Sequence, residues 1–233
     1  MRIIIKFIYS KFVLLFLSFG ISINFLFAQK KSDKLIVLDK LAYEQTIQRD
    51  PNRELINLET IPDIVLSIKY ATPNNFTGQV IYGQARAYAR KPLANALKKA
   101  QMEFLKLGYT IQIFDAYRPY RATVLFYEII KDTRYVASPK TGSKHNKGCA
   151  IDLTLVDKNT KQELKMPTDY DAFQKAAWAN APVSDPEAKK NRQTLIQVLS
   201  QFGFRVNQSE WWHFDFLECP NYEVLDIPFE ELE

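Results

Sequence analysis

The sequence predicts an α+β fold in which helices flank a central, mainly antiparallel sheet. Segments with strand and helix patterns are interspersed along the 233 residues, and several links between them are too short for regular crossovers between parallel strands. The composition is 47% apolar and 13% aromatic, which is enough to bury a sizeable core. A chain of this length suits one large domain, or one domain with an extension.

The N-terminus has the pattern of an export signal. Arg2, Lys6 and Lys11 form a basic start, and an apolar run from Phe12 to Ala28 follows. We expect cleavage after Ala28 and a periplasmic or other extracytoplasmic location. An uncleaved membrane anchor is the alternative, although 17 residues are at the short limit for a membrane span.

The rest of the chain divides into an N-terminal extension or linker over 29–53, which is mostly polar, and one domain over 54–233. A β-branched run predicts the first strand of the domain at 64–70, and a loop rich in Pro, Asn and Gly follows it. A helix is predicted at 91–107, because Pro92 lies in its first turn, apolar residues recur on one face and Gly108 ends it.

The second half of the domain alternates between strands and helices. Residues 110–116 alternate as a strand, and Pro119 ends this strand and opens a helix at 120–131. Apolar residues with β character then predict a strand at 150–155, after a polar loop. The last predicted elements are a helix at 187–201 with Gly203 beyond its C-terminal end, and a strand at 211–217.

Both histidines of the chain lie beside carboxylates, in two segments that are far apart in sequence. The segments are SKHNKGCAID at 143–152 and EWWH at 210–213. Two imidazoles and one carboxylate are the ligand set of a catalytic zinc ion that keeps a fourth position for water. The candidate ligands are therefore His145, Asp152 and His213, and Glu210 remains as a general base.

This ligand set requires a turn between its first two members. His145 and Asp152 are seven residues apart, so on one straight strand their side chains would point to opposite faces. A turn or bulge at Gly148 would bring His145 back beside Asp152.

Arg118, at the end of a predicted strand, is the candidate cation for a developing oxyanion. Its alternative role is a surface pair with Asp115.

Charge and cysteines limit the classes of partner. The formal net charge of +5 falls to +2 without the three basic residues of the first 28, which does not indicate a nucleic-acid partner. An exported protein can form a disulfide between Cys149 and Cys219. Alternation along strands through Asp152 and His213 places the two sulfurs on opposite faces, which favours free thiols. Cys149 as a further metal ligand is a less favoured alternative.

Four motifs together indicate a family. They are YAT-x-x-NFTG at 70–78, D-x-YRP at 115–119, S-x-H-x-x-G-x-A-x-D at 143–152 and EWWH at 210–213. Through them, residues 57–229 resemble the zinc D-alanyl-D-alanine dipeptidases of the vancomycin-resistance type, a branch of the D-Ala-D-Ala metallopeptidases. The resemblance implies their hedgehog-like fold and one Zn²⁺ per chain.

The resemblance also implies roles for the site residues. His145, Asp152 and His213 would hold the zinc ion, Glu210 would act as the catalytic base and Arg118 would bind the carbonyl oxygen. The residues expected to surround the dipeptide are Tyr70, Ser143 and Asp171, of which Asp171 would meet its ammonium group.

Two departures from the family leave the substrate open. The segment between Arg118 and Ser143 is shorter than in the resistance enzymes, and Cys149 replaces a small residue. The main hypothesis is hydrolysis of D-Ala-D-Ala in the turnover of cell-wall peptides. The alternatives are a D,D- or L,D-carboxypeptidase that trims peptidoglycan stem peptides, and a zinc-binding module without catalysis. We expect no nucleic-acid partner and no stable membrane span once the signal is removed.

Overall fold

A computed structural model describes residues 34–219 and 222–232, so the predicted signal at 1–28 lies outside the described residues. Within these ranges, no helix is long and apolar enough to cross a membrane. The helices are α1 (Lys40–Arg49), α2 (Lys91–Lys106), α3 (Tyr120–Ile130) and α4 (Pro186–Ser200). The strands are β1 (Val37–Leu38), β2 (Leu55–Asn57), β3 (Val65–Leu66), β4 (Tyr88–Arg90), β5 (Tyr109–Asp115), β6 (Ala150–Asp157), β7 (Phe204–Asn207), β8 (Glu210–Phe216) and β9 (Val224–Leu225).

The central sheet has five strands in the order β3-β5-β6-β8-β7. The β3–β5 pair is parallel, and the other three pairs are antiparallel. The predicted α+β fold with a mainly antiparallel sheet is therefore confirmed. Two small sheets accompany it: β1 pairs with β9 in parallel, and β2 pairs with β4 in antiparallel orientation.

The central sheet has one apolar face and one polar face, because side chains alternate along each strand. On the apolar face, the side chains of the three middle strands belong to one core cluster with the buried residues of α2 and α4, two helices that lie against the sheet. The completely buried members from these strands are Ile111, Ile113, Ile151, Leu153, Leu155 and Phe214. On the polar face, Asp152 lies between two register partners, Asp115 on β5 and His213 on β8. The sheet therefore aligns three ionisable residues in one row.

The structure places part of the predicted extension on the domain. Residues 34–53 belong to the same compact unit as the rest of the described chain, and they include β1 and α1. Asp39 caps α1 by accepting a hydrogen bond from the Ala42 amide at 2.9 Å. The Tyr43 hydroxyl accepts one from the Leu55 amide at 2.6 Å, which ties the helix to β2.

The predicted strand at 64–70 is shorter than expected. Only β3 pairs in the sheet, and residues Lys69–Ala71 form a 3₁₀ turn. This turn brings Tyr70 to the polar side of the sheet, where its hydroxyl contacts Asp171.

The prediction of free thiols is wrong, because Cys149 and Cys219 form a disulfide. Both cysteines lie outside the strands on which the alternation argument depends. Cys149 precedes β6 and directly follows Gly148, whose φ is 67°, and Cys219 lies beyond the end of β8. Strand alternation therefore does not fix the direction of either sulfur. The disulfide also excludes the alternative of Cys149 as a metal ligand.

Candidate metal centre

A short 3₁₀ turn and the glycine that ends it bring His145 back to Asp152. His145 begins a 3₁₀ turn, His145–Lys147, that ends at Gly148 in the left-handed conformation, with a φ of 67°. A Cβ atom on Gly148 would lie 2.7 Å from Leu55 Cδ2 and 3.2 Å from Arg90 N, so only glycine fits this position. The turn that the sequence analysis required at Gly148 is present.

The three predicted ligands meet at one point. Asp152 Oδ1 lies 3.3 Å from His145 Nε2 and 3.0 Å from His213 Nδ1, and the two nitrogens are 3.1 Å apart. Asp152 Oδ1 is buried and has no hydrogen-bond partner among the described residues. An unsatisfied buried carboxylate oxygen is costly, so a hydrogen-bond donor or a cation at this point would stabilise it.

Each imidazole has an inner nitrogen that faces the centre and an outer nitrogen that faces away from it. The hydrogen-bond partner of the outer nitrogen fixes the tautomer and orientation of the ring. His145 Nδ1 lies 2.7 Å from the carbonyl oxygen of Ala116, and His213 Nε2 lies 3.1 Å from Asp215 Oδ1. Because both acceptors lack a hydrogen, each outer nitrogen donates, and the inner nitrogens present lone pairs. Two imidazole lone pairs and one carboxylate oxygen thus converge, which is the donor set of a metal site.

Glu210 lies beside this centre without being part of it. Its Oε2 atom is 3.8 Å from His213 Nδ1 and accepts a hydrogen bond from Asn207 Nδ2 at 3.0 Å. Asn207 stands at a β-bulge of the β7–β8 pair. Burial raises the pKa of Glu210, which suits a carboxylate that takes up a proton during a reaction.

Arg118 forms the pair with Asp115 that the sequence left open as an alternative, but in a buried position and not at the surface. Its Nε and Nη2 atoms donate to Asp115 Oδ2 at 2.9 and 2.7 Å, and Nη2 is 4.0 Å from Asp152 Oδ2. Both residues of the pair are buried, and Arg118 borders a cavity. Although burial opposes its charge, Asp115 helps to raise the pKa of Arg118 well above its ordinary value. Arg118 is therefore a permanent cation beside the ligands.

The predicted substrate residues lie around the same centre. The Tyr70 hydroxyl donates to Asp171 Oδ2 at 2.8 Å. Burial, and then the charge of Asp152, raise the pKa of Asp171 well above its ordinary value. Ser143 Oγ accepts a hydrogen bond from the His145 amide at 3.2 Å. All eight predicted site residues line one cavity of about 680 Å³.

Sequence reasoning missed two residues that contact the ligands. The Tyr170 hydroxyl donates to Asp152 Oδ2 at 2.9 Å, and Asp215 holds the outer nitrogen of His213. Tyr170 precedes the predicted Asp171, and Asp215 follows His213 by two residues on the same strand. Strand alternation alone places Asp215 on the polar face with His213, so this signal could have found it.

Three convergent candidate ligands, a neighbouring carboxylate and a buried arginine border one cavity, an arrangement typical of a metal-dependent hydrolase. A family model described as D-ala-D-ala dipeptidase matches residues 52–225, and the chain belongs to this peptidase family.

Relatives in the family include the D-alanyl-D-alanine dipeptidases of Escherichia coli and Enterococcus faecalis. The first is 36% identical over 76% of this chain and 91% of the relative. The second is 30% identical over 65% of this chain and 85% of the relative. A solved LD-carboxypeptidase structure, reported to reveal the basis of peptidoglycan recognition, has a TM-score of 0.43 and 19% identity, and the match covers 70% of this chain and 68% of that chain.

Proposed function

We propose that the protein is an exported, zinc-dependent dipeptidase that hydrolyses D-Ala-D-Ala to free D-alanine in the turnover of cell-wall peptides. The observation that carries this proposal is the convergence of His145 Nε2, His213 Nδ1 and the unsatisfied Asp152 Oδ1 beside Glu210 and Arg118. Family membership and the names of the relatives support the substrate.

The donor set favours zinc over the other common divalent ions. Zinc takes imidazole nitrogen and carboxylate oxygen, and catalytic sites often use three protein ligands, whereas magnesium and calcium prefer oxygen ligands alone. When bound, zinc would lower the pKa of a water molecule and polarise the substrate carbonyl.

Two residues of the chain supply the rest of the chemistry. Glu210 takes the proton released by the attacking water and passes it to the leaving amine, a transfer for which its raised pKa is suited. Arg118 donates hydrogen bonds to the carbonyl oxygen as negative charge develops there. Asp115 keeps the guanidinium oriented for this task.

Asp171 is suited to recognise the free N-terminus of a dipeptide. A substrate ammonium group would stabilise the charged form of this buried carboxylate, and the Tyr70 hydroxyl fixes its orientation. Ser143 Oγ, next to the ligand segment, offers a further hydroxyl to the substrate. A carboxylate at this position disfavours peptides whose chain continues beyond the N-terminal residue.

The cavity volume favours one second candidate. About 680 Å³ lies in the range of drug-sized ligand sites and is more than a dipeptide of two alanines needs. A carboxypeptidase that acts on longer wall peptides would use the additional volume. Both candidates are extracytoplasmic, which the signal pattern at 1–28 and the disulfide support.

The test measures zinc content and D-alanine release by the purified protein, with D-Ala-D-Ala and with a pentapeptide that ends in D-Ala-D-Ala. We expect one zinc per chain, cleavage of the dipeptide, loss of activity with a chelator and recovery with zinc. Faster release from the pentapeptide would establish the carboxypeptidase instead. Absence of zinc binding would refute the whole assignment, and recovery of the protein only from the cytoplasm would refute export.

A further inference from the structure

Asp215 lies behind His213, on the side away from the metal centre. Asp215 Oδ1 is 3.1 Å from His213 Nε2, and Asp215 Oδ2 pairs with the ammonium group of Lys144. We propose that Asp215, held in place by Lys144, is the positioning residue that orients His213 for the metal ion. This inference rests on the metal site of the proposed function and adds two residues to it.

The two histidines of the site are oriented by different kinds of acceptor. His145 Nδ1 uses the main-chain carbonyl of Ala116 at 2.7 Å, so no side-chain substitution removes that bond. His213 Nε2 relies on the carboxylate of Asp215. Both bonds place the hydrogen on the outer nitrogen and leave the inner lone pair for a metal. The orientation of His213 can therefore be tested by substitution, whereas that of His145 cannot.

Lys144 is the partner that fixes the rotamer of Asp215. Its ammonium group contacts Asp215 Oδ2, whereas the guanidinium of Arg205 remains 4.0 Å from the same oxygen and is mostly exposed. With Oδ2 occupied by lysine, Oδ1 is left to face the imidazole. Lys144 should therefore contribute more to the position of Asp215 than Arg205 does.

The main chain holds Lys144 and Asp215 at a fixed separation. The Cys149 amide donates to the Lys144 carbonyl at 3.0 Å, and the Phe216 amide donates to the Cys149 carbonyl at 2.9 Å. The disulfide joins the same two segments. Because these two segments are already joined, forming the pair between Lys144 and Asp215 costs little additional conformational entropy. Such a pair is suited to hold a side chain in one orientation.

The experiment measures zinc affinity by competition with a chelator, independently of turnover. We expect Asp215→Ala to weaken zinc binding about 10- to 100-fold, the usual cost of losing a group that orients a metal-bound histidine. Asp215→Asn keeps one acceptor oxygen and should lose less. Lys144→Met should also weaken binding, by a smaller factor than Asp215→Ala.

Lys165→Met is the matched control. Lys165 also pairs with an aspartate, Asp185, and is similarly exposed, but it does not line the metal cavity. Zinc affinity should not change in this variant. Wild-type affinity in Asp215→Ala would overturn the inference, and equal losses in the Ala and Asn variants would overturn orientation through the hydrogen bond. Failure of the wild-type protein to bind zinc would instead overturn the proposed function.

Discussion

Two buried arginines show how the same side chain serves stability in one region and a site in another. Arg90 is completely buried and Arg118 nearly so, with relative exposures of 0% and 9%. Arg90 donates to main-chain carbonyls: Nε to Lys147 at 2.8 Å, Nη2 to Glu223 at 3.2 Å, and Nη1 to Arg53. These three carbonyls belong to the extension, the ligand segment and the C-terminal region.

Arg118 has a different set of partners. Its guanidinium donates twice to one carboxylate oxygen of Asp115 and borders the cavity. Its plane lies near the rings of Tyr70 and Phe126, with centroid distances of 5.4 and 4.9 Å. A guanidinium held by a side chain at a cavity remains available to a ligand, whereas one bonded to three carbonyls connects chain segments. Substitutions near Arg118 should therefore change activity, and substitutions around Arg90 should change stability.

Glu210→Gln should have the largest effect on activity, and it tests the region of the site. The variant keeps the shape of the side chain but cannot accept a proton, so kcat/KM for D-Ala-D-Ala should fall about 10³- to 10⁴-fold. Zinc content and the thermal midpoint should match those of the wild type. An amide variant with normal turnover would show that another group is the base.

Arg118→Lys should have the next largest effect. Lysine keeps the charge but loses the forked geometry that serves Asp115 and a carbonyl oxygen together, so kcat/KM should fall about 10³-fold. Arg121→Lys is the control, because Arg121 pairs with Asp226 at the exposed surface. Similar losses in both variants would remove the distinction between the site arginine and an ordinary one.

The convergence of the three candidate ligands was predictable from sequence for a physical reason. Only two histidines exist, each stands near a carboxylate, and Gly148 supplies the turn that strand alternation demands. The helices α2, α3 and α4 begin and end close to the predicted residues, because proline lies at the start of each helix and glycine follows α2 and α4. Local signals of this kind do not depend on the rest of the fold.

Other features depend on contacts between distant segments, and local patterns do not encode them. The polar helix α1 has a single buried residue, Tyr43, and its docking through Tyr43 to Leu55 was not predictable from a hydrophobic stripe. The pairing of Cys149 with Cys219 depends on how the chain turns just outside β6 and β8. Asp215 differs from other acidic residues only because β8 carries it on the same face as His213.

The disulfide offers a third prediction, which concerns stability near the site. Cys149 and Cys219 are separated by 70 residues, and closing a loop of that length stabilises the folded state by about 4 kcal/mol through the entropy of the unfolded chain. The double variant Cys149→Ala/Cys219→Ala should lose about this much free energy of unfolding in urea. Reduction of the wild-type protein should have the same effect, and a reductant should leave the double variant unchanged.

Arg90→Met should have the smallest of the four effects, and it tests the stability side of the comparison. Removing the guanidinium leaves buried carbonyls without donors and Glu223 without its buried partner, so the free energy of unfolding should fall by about 3 kcal/mol. The kcat of the folded variant, measured well below its thermal midpoint, should stay within about twofold of the wild type, because Arg90 does not line the metal cavity. Lys91→Met is the control: its pair with Glu54 is exposed, and such pairs contribute at most about 1 kcal/mol. If Arg90→Met instead abolished activity at unchanged stability, the division between a structural and a catalytic arginine would be wrong, and the contact of Arg90 with the Lys147 carbonyl would have to be treated as part of the active site.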